Sequence, residues 1–276
     1  MNIIPAIKTT AEVALAKAFI QTSLKDTQHK NAIIAVSGGI DSATSLYLLN
    51  KALPKKNIFV VHLHYFEKSI EEFHKVIDPL KLPKENILLY SIKDVVDVIA
   101  ESLEIRKVFL GFSRNINEKD RSFADAQNDK VRLGNIMSRI RMTHLFDLAK
   151  KYKALVCGTE NRSEYYLGYF TRFGDAASDF ELINHLYKTQ VRELASYLHV
   201  PHVIIDSEPS AGLWEGQTDE EELGFSYEEA DQVLYLHFEK GMSLEEIRKQ
   251  GFENASSVLK IVEKNSFKHK VPYVMG

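Results

Sequence analysis

The segment at residues 37–42 carries the clearest chemical signal in this sequence. It reads Ser37-Gly38-Gly39-Ile40-Asp41-Ser42. An apolar run at 32–36 precedes it and a helical pattern at 42–52 follows it, which predicts a strand–loop–helix turn. The glycines allow backbone N–H groups to face an anion, and the helix adds its positive N-terminal end. These features together favour phosphate binding.

Asp41 distinguishes this loop from a P-loop, which places a lysine and a hydroxyl residue after its second glycine. A carboxylate repels polyphosphate unless a cation lies between them, so we expect Mg²⁺ to bridge Asp41 and phosphate oxygens. The alternative is that Ser37, Asp41 and Ser42 only cap a helix and interact with its dipole. For Asp41 alone both interpretations are open, whereas the whole run after a strand favours phosphate binding.

A second polar segment follows the apolar run at 154–157. It reads Gly158-Thr159-Glu160-Asn161, and Glu164 comes shortly after it. The carboxyl ends of parallel strands meet at one edge of a sheet, so Glu164 could complete the Mg²⁺ shell beside Asp41. The alternative for Glu164 is a solvated helix residue.

Two further segments combine charged and aromatic side chains. Residues 169–179 hold aromatic residues and an arginine together with Asp175 and Asp179, a composition that suits a pocket for a small cation or for ribose hydroxyls. On the predicted helix at 134–151, Asn135 and Arg139 share a face, whereas Arg141 points to roughly the opposite side. Taken singly, each arginine is better explained as one partner of a surface ion pair.

The elements that must position these residues alternate between short apolar runs and helical patterns. Buried strands are predicted at 32–36, 58–63, 86–91, 154–157 and 202–206. Helices are predicted near 11–24, 42–52, 69–79, 93–104, 134–151, 188–198, 226–239 and 254–264. This alternation predicts an α/β fold with a doubly wound, mainly parallel five-stranded sheet and helices on both faces. Residues 111–130 and 208–224 are predicted to be long loops, the second a lid over a site.

Composition limits the class of protein. The chain has 276 residues, 45% of them hydrophobic, and a formal net charge of -3. These values predict one globular domain over residues 1–276 and disfavour nucleic acid as a partner. The single cysteine, Cys157, fits a reducing, cytoplasmic setting, and the first 27 residues contain neither a signal sequence nor an apolar span of membrane length.

Taken together, these segments resemble the ammonia-dependent NAD synthetases of the N-type ATP pyrophosphatase superfamily, whose fold is adenine nucleotide alpha hydrolase-like. The loop at 37–42 resembles that of the whole superfamily. Narrower matches lie at 134–142, 158–164, 170–175, 186–192, 208–213 and 217–224. In the second of these blocks, Glu160-Asn161-Arg162 replaces a commoner Asp-His stretch. The blocks span most of the chain.

The resemblance implies a role for each matching residue. The implied ATP contacts are Ala35, Val36, Ser37, Gly38, Gly39, Ile40, Asp41, Ser42, Thr159, Lys188 and Ser210. The residues implied to bind deamido-NAD are Asn135, Arg139, Arg172, Asp179, His269 and Lys270. Asp41 and Glu164 would hold Mg²⁺, and Asp175 and Lys188 would take part in catalysis, with Asp175 where ammonia enters.

The implied reaction joins ammonia to the nicotinate carboxylate of deamido-NAD through an acyl-adenylate, giving NAD, AMP and pyrophosphate. No glutaminase sequence is present, so free ammonia or ammonia from a partner is the expected nitrogen source, and family members are homodimers. Two rivals stay open at this point. A tRNA thiolase or ligase of the same superfamily generally needs more cysteines and a basic face. A non-catalytic ATP-binding regulator would bind ATP without releasing AMP.

Overall fold

The computed structural model describes residues 3–105, 123–210, 212, 214 and 217–275. Its centre is a parallel sheet with the strand order β3-β2-β1-β4-β5. The strands are β1 (Asn31–Ala35), β2 (Ile58–His64), β3 (Ile87–Ser91), β4 (Ala154–Gly158) and β5 (Phe180–Glu181). The chain runs outward from β1 to β3 and then returns to place β4 on the other side of β1. The order therefore reverses between β1 and β4, which is where ligands bind in open α/β sheets.

Twelve α-helices are described around and beside this sheet. In chain order they are α1 (Thr9–Asp26), α2 (Ile40–Ala52), α3 (Ser69–Ile77), α4 (Lys93–Ser102), α5 (Phe123–Tyr152), α6 (Arg162–Leu167), α7 (Lys188–Tyr197), α8 (His202–Ile205), α9 (Asp219–Leu223), α10 (Tyr227–Leu234), α11 (Leu244–Lys249) and α12 (Ala255–Asn265). A π-helical turn, Tyr235–Glu239, continues α10. The eight predicted helices are all confirmed; α5 begins at Phe123, well before its predicted start at 134, and the other helices differ only slightly at their ends.

Helices cover both faces of the sheet, as the fold prediction requires. Successive residues of β1 point to opposite faces. Ile34 packs in a core with α1, α2, α3, α7 and α8, whereas Ile33 packs in a second core with α4 and α5. The doubly wound α/β architecture is therefore confirmed.

The predicted strand at 202–206 is wrong, because His202–Ile205 is the short helix α8. Pro201 precedes this helix with a φ of -54°, and buried Ile204 packs in the core on the α1/α2 face. A short apolar run fits a buried helical turn as well as a strand. The fifth strand is instead β5, which pairs with β4 through Cys157 and Gly158.

Both predicted loops are partly wrong. Residues 123–130 belong to α5, where Asp129 accepts a hydrogen bond from Arg132 and Arg132 also donates to the backbone oxygen of Leu103 after α4. The polar sequence there lacks an apolar period, which concealed the helix. Residues 111–122 lie outside the described part. In the second loop, residues 219–223 form α9, while residues 211, 213, 215 and 216 are likewise outside the description.

A third apolar cluster lies beside the sheet, among α6, α10, α11 and α12. Leu167, Val233, Ile247 and Val258 are among its buried members. This cluster fixes α6 and α10 against the start of α7, and these three elements carry much of the candidate site. Within the described ranges, no helix is both long and apolar enough to cross a membrane.

Candidate active site

The loop at residues 37–42, called here the phosphate loop, joins β1 to α2 at the switch point of the sheet. Gly38 has a φ of 103°, and a Cβ atom there would lie 2.8 Å from the Cβ of Glu72 on α3. The Ser42 hydroxyl donates to the Gly39 carbonyl at 3.0 Å, and Ser37 Oγ accepts from the Gly39 N–H at 3.1 Å. The first turn of α2 leaves its N–H groups without intrahelical partners. The loop therefore has the form of an anion-binding turn.

His62 on β2 supports this loop from behind. Its Nδ1 lies 2.7 Å from the carbonyl oxygen of Val36, and its Nε2 lies 2.9 Å from the Ser69 hydroxyl. Its ring stacks on Phe73. Burial lowers the pKa of His62 to about 4, so the imidazole is neutral at pH 7 and donates to Val36 through Nδ1–H.

Asp41, Glu164 and Lys188 meet at the start of α2, and we refer to them as the acid–lysine cluster. Lys188 Nζ lies 2.5 Å from Asp41 Oδ2 and 3.3 Å from Glu164 Oε1. Lys188 is only 2% exposed. Burial lowers its pKa, but the two carboxylates outweigh that effect and raise it, so the ammonium is charged. The three side chains come from α2, α6 and α7.

Asn161 ties the two carboxylates of this cluster together. Its Nδ2 donates to Asp41 Oδ1 at 2.9 Å, and its Oδ1 accepts from the backbone N–H of Glu164 at 3.0 Å. The Glu164 carboxylate in turn accepts from the Asn161 N–H, which completes a capping box. Asn161 is fully buried. The sequence analysis gave it no role, although the Asn-x-x-Glu spacing is a recognisable capping signal.

The donor set of the cluster fits a magnesium ion. Mg²⁺ takes one or two protein carboxylates and completes its shell with phosphate oxygens and water. Burial and the charge of Asp41 raise the pKa of Glu164, while Lys188 opposes the rise. The part of this pKa shift that comes from Asp41 reflects carboxylate repulsion, which a bound cation would offset. No described residues form a group of three or more metal-ligating side chains, so phosphate would have to supply the remaining ligands.

The backbone and side chain of Lys188 are held by neighbouring helices. Ser163 Oγ accepts from the Lys188 N–H at 2.9 Å and donates to Asp231 Oδ1 at 2.5 Å. Asp231 Oδ2 accepts from the Thr189 N–H at 2.9 Å. The Lys188 ammonium also lies 5.2 Å from the ring centroid of Tyr227, one turn before Asp231 on α10. No local pattern in the sequence indicates that Asp231 contacts Ser163 and Thr189.

Asp175 lies in a second polar group beyond the end of β4. Its Oδ1 accepts from the Ser138 hydroxyl at 2.5 Å and from the Thr171 N–H at 3.2 Å. Thr171 Oγ1 donates to Asn135 Oδ1 at 2.8 Å. Asp175 is exposed to solvent despite these contacts. The structure thus brings Asp175 and Asn135 together through Thr171.

Two half-buried glutamates, Glu160 and Glu181, lie close to Asp175. Burial, and then the charge of Glu164, raises the pKa of Glu160 to about 9. Its Oε1 is buried and has no hydrogen-bond partner in the part of the chain that the structure describes. Glu181 accepts hydrogen bonds from the Glu160 N–H and from the Ser178 hydroxyl, and burial raises its pKa to about 7. The sequence analysis assigned neither side chain a role.

The residues predicted to bind deamido-NAD are more dispersed. Arg139 Nε donates to the backbone oxygen of Arg172 at 3.2 Å. Asp179 accepts from the Val156 N–H at 2.7 Å, which links it to the middle of β4. His269 lies against Tyr165 with ring centroids 4.3 Å apart, and Lys270 is exposed.

Two predicted ATP contacts have no side-chain link to the acid–lysine cluster. Thr159 directly follows β4 and is half-buried, which places it at the same edge of the sheet as the phosphate loop. Ser210 is exposed, and its hydroxyl accepts from the Gly212 N–H at 3.1 Å. It precedes α9, whose first residue, Asp219, accepts from the Tyr227 hydroxyl at 3.2 Å.

Comparison with known proteins places this site in a family. Residues 12–272 match the family model for NAD synthase. The NH(3)-dependent NAD(+) synthetase of Fusobacterium nucleatum is 36% identical over 261 residues, covering 93% of this chain and 92% of the relative. Among solved structures, the NMN synthetase of Francisella tularensis has a TM-score of 0.77 at 28% identity, covering 98% of this chain and 99% of its own. The NH3-dependent NAD synthetase of Campylobacter jejuni has a TM-score of 0.74 at 26% identity, covering 98% and 100%. The chain belongs to the NAD synthase family.

Proposed function

We propose that this chain is a ligase that makes NAD from deamido-NAD, ATP and ammonia, releasing AMP and pyrophosphate. The observation that carries the proposal is the acid–lysine cluster beside the phosphate loop, at the start of α2. Neighbouring Asp175 offers a solvent-facing carboxylate for the nitrogen nucleophile. Membership of the NAD synthase family supports the choice of substrate.

In the first step, the nicotinate carboxylate attacks the α-phosphorus of ATP, and pyrophosphate leaves. The ATP phosphates lie on the phosphate loop, with Thr159 and Ser210 as further contacts. Lys188 and the N-terminus of α2 offset part of the negative charge that a carboxylate meets when it approaches a polyanion. Asp41 and Glu164 hold Mg²⁺, which screens phosphate charge when bound.

In the second step, ammonia attacks the carbonyl carbon of the acyl-adenylate and AMP leaves. Asp175 accepts a proton from ammonium, since its free surface faces solvent while Ser138 and Thr171 fix its orientation. Deamido-NAD is bound by Asn135, Arg139, Arg172, Asp179, His269 and Lys270. The dispersal of these side chains, several of them exposed, supports a site completed by a second copy of the chain in a homodimer. A cytoplasmic location remains a prediction from the single, buried cysteine.

The second candidate function is amidation of the mononucleotide that corresponds to deamido-NAD. It is favoured by one observation, the structural similarity to an NMN synthetase over nearly the whole chain. The two functions share their chemistry and differ in whether the substrate carries the adenylate half. A comparison of kcat/KM for the two substrates therefore discriminates between the two functions.

The experiment supplies purified protein with Mg-ATP, ammonium and either deamido-NAD or nicotinate mononucleotide. We expect stoichiometric AMP, pyrophosphate and NAD, with kcat/KM at least about tenfold higher for the dinucleotide, a difference of roughly 1.4 kcal/mol. The opposite preference selects the mononucleotide function. ATP binding without AMP release from either substrate refutes both and favours the regulator.

The assigned cation ligands are tested by Asp41→Asn and Glu164→Gln. We expect Asp41→Asn to abolish adenylation and Glu164→Gln to raise the Mg²⁺ concentration required. Asp147→Asn, which removes an exposed carboxylate on α5, is the matched control and should behave as wild type. Unchanged turnover and Mg²⁺ dependence in Asp41→Asn reject its assignment.

A further inference from the structure

Arg141 on α5 is a basic side chain that the proposed reaction leaves without a role. Its Nε donates to the backbone oxygen of Leu63 at 3.0 Å, near the carboxyl end of β2. Arg139, two residues earlier, faces away toward the backbone of Arg172. The two arginines of this helix therefore contact different parts of the protein, and Arg141 points toward the carboxyl-terminal edge of the sheet.

The contact with Leu63 places Arg141 beside the phosphate loop. The Val36 N–H, one residue before the loop, donates to the Val61 carbonyl of β2. His62 holds the Val36 carbonyl, and Leu63 follows directly. The charge of Arg141 contributes to the lowered pKa values of His62 and His64, in addition to burial. Both observations locate the guanidinium near the position where a bound phosphate chain begins.

Arg141 also lies near the group that receives the nitrogen nucleophile. Ser138, three residues earlier on α5, shares its helix face and binds Asp175. Asp175 in turn favours the charged form of Arg141. Burial lowers the pKa of Arg141 to about 10, which leaves the guanidinium protonated at neutral pH. The charged Arg141 side chain thus lies within electrostatic range of Asp175 and contacts the carboxyl end of β2.

The terminal nitrogens of Arg141 are uncommitted. They form no hydrogen bond or ion pair with any residue in the described ranges, and part of the side chain remains open to solvent. Lys188 differs, because Asp41 and Glu164 already neutralise its charge. Surrounding a cation with protein is costly unless an anion pairs with it. The guanidinium offers a planar pair of donors that matches phosphate oxygens.

We propose that Arg141 is a catalytic residue that donates hydrogen bonds to the non-bridging oxygens of the reacting α-phosphoryl group. The inference rests on the proposed function. A bond forms between the nicotinate carboxylate oxygen and the α-phosphorus, and the bond to the bridging oxygen breaks. Pyrophosphate leaves with the electron pair, and no proton is transferred. Arg141 offsets the charge on the equatorial oxygens and then holds the phosphate of the adenylate while ammonia attacks.

The test measures adenylation alone, as deamido-NAD-dependent exchange of labelled pyrophosphate into ATP without ammonia. Arg141→Ala and Arg141→Gln should lower the exchange rate by roughly 100- to 1000-fold, the loss typical for one transition-state donor. The KM for ATP should change by less than about threefold, because most phosphate contacts remain. Added guanidinium should restore part of the exchange in Arg141→Ala. Arg248→Ala, an exposed arginine on α11, should match wild type.

The outcomes separate this inference from the function on which it rests. Wild-type protein that shows no exchange and makes no NAD refutes the proposed function itself. Active wild type with exchange within about threefold in either folded variant overturns the role of Arg141. A loss that guanidinium does not restore, together with an equal loss of ATP binding, assigns Arg141 to holding Leu63 in place and overturns it as well.

Discussion

Asn161 provides the sharpest test of how the acid–lysine cluster is assembled, because one buried side chain makes two separable contacts. Its oxygen caps α6 at the Glu164 N–H, and its nitrogen holds Asp41. Asn161→Ala removes both. Losing the cap costs about 1 kcal/mol, and losing a buried hydrogen bond to a charged group costs about 1.5–3 kcal/mol. The free energy of unfolding should therefore fall by roughly 3 kcal/mol.

Asn161→Ser separates the two contacts. A serine oxygen can cap such a helix, as Ser243 and Ser226 do elsewhere in this chain by accepting from the N–H three residues on. The serine variant should lose only the Asp41 contact, so it should be about 1 kcal/mol more stable than the alanine variant in urea denaturation. Both variants remove the hydrogen bond to Asp41 Oδ1 and leave only Lys188 to orient that carboxylate, so both should lose about 10- to 100-fold in pyrophosphate exchange.

Asn161→Ser and Asn161→Ala should differ in stability but not in exchange rate, and any other pattern would contradict two separable contacts. Equal stability of the serine and alanine variants would mean that the cap contributes nothing. Wild-type exchange in Asn161→Ser would mean that Asp41 keeps its position without Asn161. In that case the 2.9 Å contact would have no part in positioning the carboxylate.

Three other changes test neighbouring parts of the site. Asp231→Asn leaves either the Ser163 hydroxyl or the Thr189 N–H without its acceptor, so kcat should fall about tenfold with little change in KM. Ser163→Ala should lower kcat by the same factor, and steady-state kinetics of the double variant should show no further loss. The pKa of Glu160 is about 9 in the folded protein and near 4.5 in the unfolded chain, so the free energy of unfolding of the ligand-free protein should fall as the pH rises from 5 to about 9. In urea titrations, Glu160→Gln should be more stable than wild type at pH 8 by on the order of 1 kcal/mol or more, and equally stable near pH 4. Gly38→Ala should raise the KM for ATP at least about tenfold, because the positive φ of Gly38 and the nearby Glu72 Cβ both disfavour a Cβ there. Adding Glu72→Gly removes the clash with that Cβ and leaves the φ unchanged, so a KM restored to the wild-type value would contradict the effect of φ.

The sequence predicted the sheet as far as its strands carry an apolar signal. β1, β2, β3 and β4 are runs of Ile, Val and Leu long enough to indicate buried strands. β5 has two residues, Phe180 and Glu181, and it exists because β4 offers a free edge beside it. Two residues have no period, so the sequence does not indicate β5, and the apolar run at 202–206 is predicted as the fifth strand. Its helical form depends on packing in the core on the α1/α2 face, which no local pattern records.

Residues of the candidate site that belong to a local motif could be predicted from the sequence. Residues that reach the site only because helices from distant segments pack together could not. The phosphate loop follows from glycines after a strand, and Glu164 follows from its place after β4. Asp231 could not be found in this way, because its two acceptors serve α6 and α7 while it stands on α10. Its position has physical meaning only once the third apolar cluster has packed these helices together.

The same packing explains why the site tolerates so many carboxylates near a polyanion. Burial raises the pKa values of Glu160, Glu164 and Glu181, so the folded protein already resists full ionisation of this edge. Lys188 already contacts two of these acids, so only part of its charge is available to a bound nucleotide. A bound nucleotide therefore needs positive charge from outside the acid–lysine cluster. In the reaction proposed above, Mg²⁺ held by Asp41 and Glu164 would supply part of that charge, and Arg141 would supply it at the reacting phosphate.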